Sequence, residues 1–187
     1  MTPVLYVALV PARSGGKTRL EVPDRALLAR AFLCDVRAAL EQATHVGQVI
    51  VLDTPGGLVE AIAEGGQLAA TRAPGAPIVV VPADLPALTG EALDPLLERA
   101  RPYPSAWVRD HRGTGTTLLT ARDPRDIPAR YGPQSATAHA SVATELRNAD
   151  LRARLDVDTL ADLHRAVDLG VGPATARVVR ELPPRTG

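Results

Sequence analysis

The chain has 187 residues, 45% of them hydrophobic, and 21 Lys plus Arg balance 21 Asp plus Glu, so its formal net charge is zero. That length suits one domain with an apolar core, and the charge balance excludes the basic footprint of a nucleic-acid binder. No apolar run approaches the roughly 20 residues of a membrane span, and the single cysteine, Cys34, excludes an intramolecular disulfide.

Cys34 lies in an apolar stretch and reads as a buried, inert thiol. The start of the chain lacks a cationic lead and a cleavage site, so it does not read as a signal peptide, and the expected location is the cytoplasm. Lys17 is the only lysine, which singles it out in an Arg-rich chain.

The first element is the apolar, β-branched run Val4–Val10, a buried strand that Pro11 ends. After a loop, Asp24 to Glu41 reads as a helix with Asp24 as its N-cap and Leu27, Leu28, Ala31, Cys34, Asp35 and Ala38 near helical spacing. Val49–Leu52 is a second strand. Leu58–Thr71 is a helix that Gly65-Gly66 weakens. Pro77–Val81 is a third buried strand, and Glu91–Arg101 a helix with Thr89 as cap. Ala106–Arg109 and Thr116–Thr120 read as strands around a glycine turn. Ser135–Asn148 is a helix, Ala153–Val157 a strand, and Thr159–Leu169 a helix that Gly170 closes. Alternating strands and helices give an α/β class with a mostly parallel sheet. The chain, 1–187, is a single domain, with 182–187 a frayed tail.

Five stretches could carry chemistry. The loop after the first strand holds Arg13, Ser14, Gly15, Gly16, Lys17 and Arg19; small residues admit a phosphate chain close to the backbone and the cations neutralise it. It is not a P-loop, and a plain basic surface loop explains it equally well. Asp84 follows the third strand between Pro82 and Pro86, where a hard carboxylate could hold Mg²⁺ against phosphates; a turn-forming Asp is the bland reading. In Gly113-Thr114-Gly115-Thr116-Thr117, amides and hydroxyls could meet an anion, or form an ordinary hairpin. In Tyr131-Gly132-Pro133-Gln134-Ser135, Ser135 is a natural N-cap, and the helix start it opens is an anion site; His139, a turn on, reads as structural. Asp156 and Asp158 lie on one face at period two, a second metal contact or a helix cap.

Taken in order, Pro-x-Arg…Lys-x-Arg-Leu, Ala-Asp-Leu-Pro, Gly-Thr-Gly-Thr-Thr, Tyr-Gly-Pro-x-Ser and Asp-Val-Asp-Thr-x-x-Asp-Leu resemble the 2-phospho-L-lactate or phosphoenolpyruvate guanylyltransferase family of coenzyme F-420 biosynthesis, over Val4 to about Thr175. The resemblance implies a nucleotidyltransferase fold of the glycosyltransferase-A type: a three-layer sandwich on a mostly parallel mixed sheet. It implies GTP as donor, Mg²⁺, and a phosphorylated three-carbon acceptor (phosphoenolpyruvate, 2-phospho-L-lactate or 3-phosphoglycerate). Asp84, Asp156 and Asp158 look like the metal ligands, Thr116, Gly132 and Ser135 like the acceptor-phosphate site, and Arg13 to Lys17 like the triphosphate loop, with Lys17, Arg19 and Asp84 catalytic. A partner transferase that takes the product is implied too, with neither nucleic acid nor membrane.

Two departures stand out. Asp53 runs almost at once into Gly56-Gly57-Leu58, which leaves the chain one strand–helix unit short of the family pattern, and Val59 stands where the family has Asn. Two alternatives stay open at this point: a related transferase for molybdopterin or sugar phosphates, and a degenerate member kept as a binding or scaffold protein.

Overall fold

The computed structural model describes residues 5–12, 24–54 and 56–181. The loop residues Arg13, Ser14, Gly15, Gly16, Lys17 and Arg19 and the tail 182–187 lie outside them. The elements are β1 (Tyr6–Ala12), α1 (Arg25–Gln42), β2 (Val46–Asp53), α2 (Leu58–Arg72), β3 (Ile78–Val80), α3 (Gly90–Ala100), β4 (Ser105–Arg109), β5 (Thr116–Ala121), α4 (Ser135–Ala140), β6 (Thr144–Glu145), α5 (Leu160–Leu169) and α6 (Pro173–Glu181).

Among the described residues six strands form one sheet, in the order β2-β1-β3-β5-β4-β6. β1 pairs in parallel with β2 and β3, β5 runs antiparallel to β3 and β4, and β6 is parallel to β4. Strand side chains alternate between faces. Tyr6, Ala8, Val10, Val79 and Val81 join Val36, Leu40, Leu93 and Leu97 of α1 and α3 in one core. Val7, Leu9, Ile78 and Val80 join Ile62 and Ala69 of α2 on the other side, with Trp107 and Leu119. Burial on both faces explains why β1 and β3 read as unbroken apolar runs. A third cluster joins Leu28 and Phe32 of α1 to Leu163, Ala166 and Val178 of α5 and α6. The result is a three-layer α/β/α sandwich.

Several expectations need correction. Pro11 does not end β1, which continues to Ala12. The amide of Val7 donates to the Pro77 carbonyl and that of Val81 to the Leu9 carbonyl, each at 2.9 Å, so residues 7, 9 and 11 turn their main-chain groups toward β3. Pairing with β3 stops at Leu9, so the N–H that Pro11 lacks removes no ladder bond. Cys34 is exposed, not buried, because the inner face of α1 is Leu28, Ala31, Phe32, Asp35, Val36, Ala39 and Leu40, and Leu27 is exposed with it.

The helix from Ser135 ends at Ala140, since Thr144 and Glu145 peel off to pair with Ala106 and Trp107 of β4. Its cap residue is Gln134, at φ 60°, not Ser135, which is the first helical residue. Ala153–Val157 is not a strand: Leu151–Ala153 is a 3-10 turn, and the segment beyond is tied by single bonds. The cap of α5 is Thr159, not Asp158. The final helix, α6, has no local cap signal; Asp35 of α1 caps it by accepting from the amides of Ala174 (2.9 Å) and Thr175 (2.8 Å).

The glycine pair in α2 does not weaken it in place. A Cβ on Gly65 would stand 2.8 Å from Leu52, and one on Gly66 only 2.3 Å from the Pro124 carbonyl oxygen. The pair lets the helix lie close to β2 on one side and to the Pro124–Asp126 turn on the other. Asp24 and Thr89 cap α1 and α3 as their sequences suggest, accepting from Leu27 (2.9 Å) and Ala92 (3.2 Å).

Candidate active site

β1 and β3 are parallel, so the loop leaving Ala12 and the turn carrying Asp84 start from the same sheet edge. β5 is antiparallel, with Val80 opposite Leu119, so its first residue, Thr116, lies at that edge too. Arg109, the last residue of β4, pairs with Thr116 and leads into Asp110-His111-Arg112-Gly113. Ligands of open α/β sheets lie outside such strand ends.

Asp84 is half-buried. The amide of Val157 donates to the Asp84 carbonyl at 2.9 Å, which sets the segment Asp156-Val157-Asp158 directly against it. That segment is stitched to the β4–β5 loop: the His111 amide donates to the Arg154 carbonyl (2.8 Å), and the Arg154 guanidinium donates to the carbonyls of Arg109 (3.1 Å) and Asp110 (3.0 Å). His111 is nearly fully buried, with Nδ1 3.1 Å from Asp156 and Nε2 3.2 Å from Asp162. Arg112 donates to Asp158 at 3.1 Å and to Asp162.

Asp162 also completes a capping box with Thr159. Burial alone would raise its carboxyl, but bonds from the hydroxyl and amide of Thr159, the Arg112 charge and the Asp158 amide outweigh it and hold the group below its ordinary value. Among the described residues no group of three or more His, Cys, Asp or Glu converges as a ready-made metal cluster. Asp84, Asp156 and Asp158 share a neighbourhood, and the last two each lean on a cationic or imidazole partner.

The glycine turn is first of all a hairpin. Asp110 accepts from the Thr114 amide at 2.9 Å, Gly113 sits at φ 83°, and a Cβ on Gly115 would stand 2.6 Å from the Asp110 carboxylate. The Thr117 hydroxyl is spent on the Ala153 carbonyl, 2.7 Å away. Thr116 is different: its Oγ1 lies 2.8 Å from Nδ1 of His139. His139 is fully buried, and its Nε2 accepts from the Arg130 amide at 2.9 Å. The loop carrying Gly132 closes on Ser135, whose amide donates to the Gly132 carbonyl at 3.2 Å, and the next amide, Ala136, donates to the Thr114 carbonyl at 3.1 Å. His139 thereby ties Thr116 to the Arg130 main chain, two residues before Gly132, in a loop that closes on Ser135. The six-residue length of α4 removes the extended helix whose start was to serve as an anion site.

Burial, and then the charge of Arg130, push His139 down to about 4, the Ser135 carbonyl opposing them. Tyr131 stands edge-on to His139, ring centroids 5.0 Å apart. Burial, and then the negative charge of Asp84, raise its phenol above the ordinary value, and its Oη is buried without a hydrogen-bond partner among the described residues. Tyr131 thus links the Thr116–Ser135 group to Asp84. In the sequence, His111 and Arg112 are marked only as a basic pair ahead of Gly113 that could answer the acidic run Asp156-Asp158-Asp162.

No family model matches the chain. The phosphoenolpyruvate guanylyltransferase of Streptomyces coelicolor is 42% identical over 151 residues, covering 79% of this chain and 71% of the relative. That of Streptomyces scabiei is 35% identical over 212 residues, covering 95% of this chain and 97% of the relative. An alignment longer than the 187-residue chain leaves residues of the relative without a counterpart here. Among solved structures, a nucleotide-diphospho-sugar transferase assignment from Desulfovibrio desulfuricans G20 superposes with a TM-score of 0.67 at 19% identity, covering 94% of both chains, a likeness of fold. No helix among the described residues is long and apolar enough to cross a membrane. On the strength of the curated relatives, the chain belongs to the phosphoenolpyruvate guanylyltransferase family, a group of nucleotidyltransferases.

Proposed function

We propose that the chain transfers the guanylyl group of GTP to the phosphate of phosphoenolpyruvate, with release of pyrophosphate, in the cytoplasm. The observation that supports this reading is the bond from the Val157 amide to the Asp84 carbonyl, which brings the main chain of the Asp156–Asp158 segment against that of Asp84. Family membership favours this reading over a scaffold protein or a transferase for molybdopterin or sugar phosphates.

Carboxylate oxygens suit a hard divalent cation, Mg²⁺ in this reading, and Asp84, Asp156 and Asp158 stand on adjoining segments, although in this structure they do not converge as a ready-made cluster. Asp84 with Asp156 and Asp158 would hold it, and when bound it supplies positive charge to the phosphates. The remaining work falls to the chain itself. Thr116, Gly132 and Ser135 hold the acceptor phosphate. Its oxygen is already anionic, so it attacks the α-phosphorus of GTP without a general base; the new P–O bond forms in line as the α–β P–O bond breaks. Arg13, Lys17 and Arg19 neutralise the charge that grows on the departing pyrophosphate. A transferase that consumes the guanylylated product is the implied partner.

The test is pyrophosphate release from GTP with phosphoenolpyruvate, phospholactate and 3-phosphoglycerate in turn, with mass spectrometry of the adduct. Release with phosphoenolpyruvate supports the proposal. Binding of both substrates without release from any acceptor overturns it in favour of a scaffold.

A further inference from the structure

We propose that His139 is a positioning residue that, as the neutral tautomer with its proton on Nδ1, fixes the Thr116 hydroxyl so that its own proton points to the acceptor phosphate. The inference rests on the reading of Thr116 as an acceptor-phosphate ligand.

The tautomer follows from the partners. Nε2 faces an amide N–H, that of Arg130 at 2.9 Å, which can only donate, so Nε2 is the acceptor. A neutral ring has one donor, so the proton is on Nδ1, facing Oγ1 of Thr116 at 2.8 Å. A hydroxyl that accepts there does not spend its single hydrogen on the ring. A free threonine hydroxyl swings between rotor positions, whereas this one is held with its donor turned elsewhere. Thr116 is the first residue of β5 and 9% exposed at the sheet edge, so in the proposed arrangement that donor is the group offered to the cleft. A donor oriented before the anion arrives needs no reorganisation when it binds. The same ring also tethers Arg130, next to Tyr131 and Gly132, and stands one helical turn after Ser135. Its depressed basicity keeps it neutral at any working pH, and a proton on Nε2 would oppose the Arg130 amide donor.

Two near-isosteres separate the ring's two nitrogens. His139→Asn keeps an N–H donor near the place of Nδ1 and loses the acceptor for Arg130; His139→Gln keeps the acceptor and loses the donor to Thr116. The expected result is a rise of about ten-fold in the phosphoenolpyruvate KM for His139→Gln, the value of one hydrogen bond, with the GTP KM and kcat within two-fold. His139→Asn stays within about three-fold throughout. Thr116→Val raises the same KM, and adding His139→Gln to it has no further effect. If Thr116→Val leaves the phosphoenolpyruvate KM unchanged, the reading of the acceptor site falls and this inference with it. If Thr116→Val is impaired while His139→Gln is not, or if both His139 variants weaken GTP and phosphoenolpyruvate alike, the inference alone falls. Imidazole ¹⁵N spectra of the wild-type protein give an independent check: Nδ1 protonated and Nε2 bare is expected for His139, and the opposite tautomer overturns the proposal.

Discussion

The amide of Val157 donates to the carbonyl of Asp84 across 2.9 Å, joining the end of the third strand to the approach of the fifth helix. The bond uses main chain on both sides. The residues flanking Val157, Asp156 and Asp158, are thereby brought near Asp84 along the main chain. Replacing Asp84 by Ala should therefore abolish turnover at saturating Mg²⁺ while thermal melting stays within a few degrees. Near-normal pyrophosphate release would remove Asp84 from the site.

Asp162 meets His111, Arg112 and the capping box of α5 at once. Asp162→Asn should cost about 3 kcal/mol at pH 7, read by urea unfolding, because a cap is lost and a half-buried cation is left short of a partner. Its folded-state carboxyl lies below its ordinary value. The stabilisation is therefore present above the unfolded pKa near 4 and is lost as pH falls through the lower folded one. The wild-type chain should lose that contribution below pH 4, and the variant should not.

His139 sets a second window. Its ordinary value is 6.5 and its folded value about 4. As pH falls between the two, the unfolded chain takes up a proton that the folded chain refuses, so stability declines by at most about 1.4 kcal/mol per pH unit. Above pH 6.5 the group contributes no slope. His139→Asn should flatten the melting temperature between pH 6.5 and 4; an unchanged slope would assign it to other groups.

Gly66→Ala should destabilise by about 1–3 kcal/mol, although alanine is the better helix former by about 1 kcal/mol. The added methyl would stand 2.3 Å from the Pro124 carbonyl oxygen, a backbone atom with little room to move. A higher melting point for the variant would show that the helix and the turn can separate.

How far the sequence disclosed this arrangement depends on what each element rests on. β1, β3, α1 and α3 follow from local pattern: buried apolar runs, and caps whose partner is three residues away, as with Asp24 and Thr89. Pro11, Cys34 and Ser135 were misjudged because their surroundings are set by distant chain: the end of β3, the inner face of α1 and the pull of β4 on Thr144. α6 escaped notice because the carboxylate that caps it sits in α1. For the site, motif order pointed to Asp84, Thr116 and Asp156, but no spacing rule couples Thr116 to His139 or His111 to Asp156 and Asp162. Those pairs exist only once the sheet has brought β4, β5 and α5 together.

Asp35 and the cluster around Phe32 have a consequence for synthesis. The Leu28–Phe32 end of the inner face of α1 is made early, yet its cover comes from Leu155, Val157, Leu163 and Val178, and Asp35 waits for the amides of Ala174 and Thr175. A nascent polypeptide on the ribosome thus carries an uncovered Leu28–Phe32 stripe and a waiting carboxylate until translation has passed α6. Val157 belongs both to that late cover and to the bond with Asp84. The late cover of the Leu28–Phe32 stripe and the segment that carries Asp156 and Asp158 thus come from the same stretch of chain.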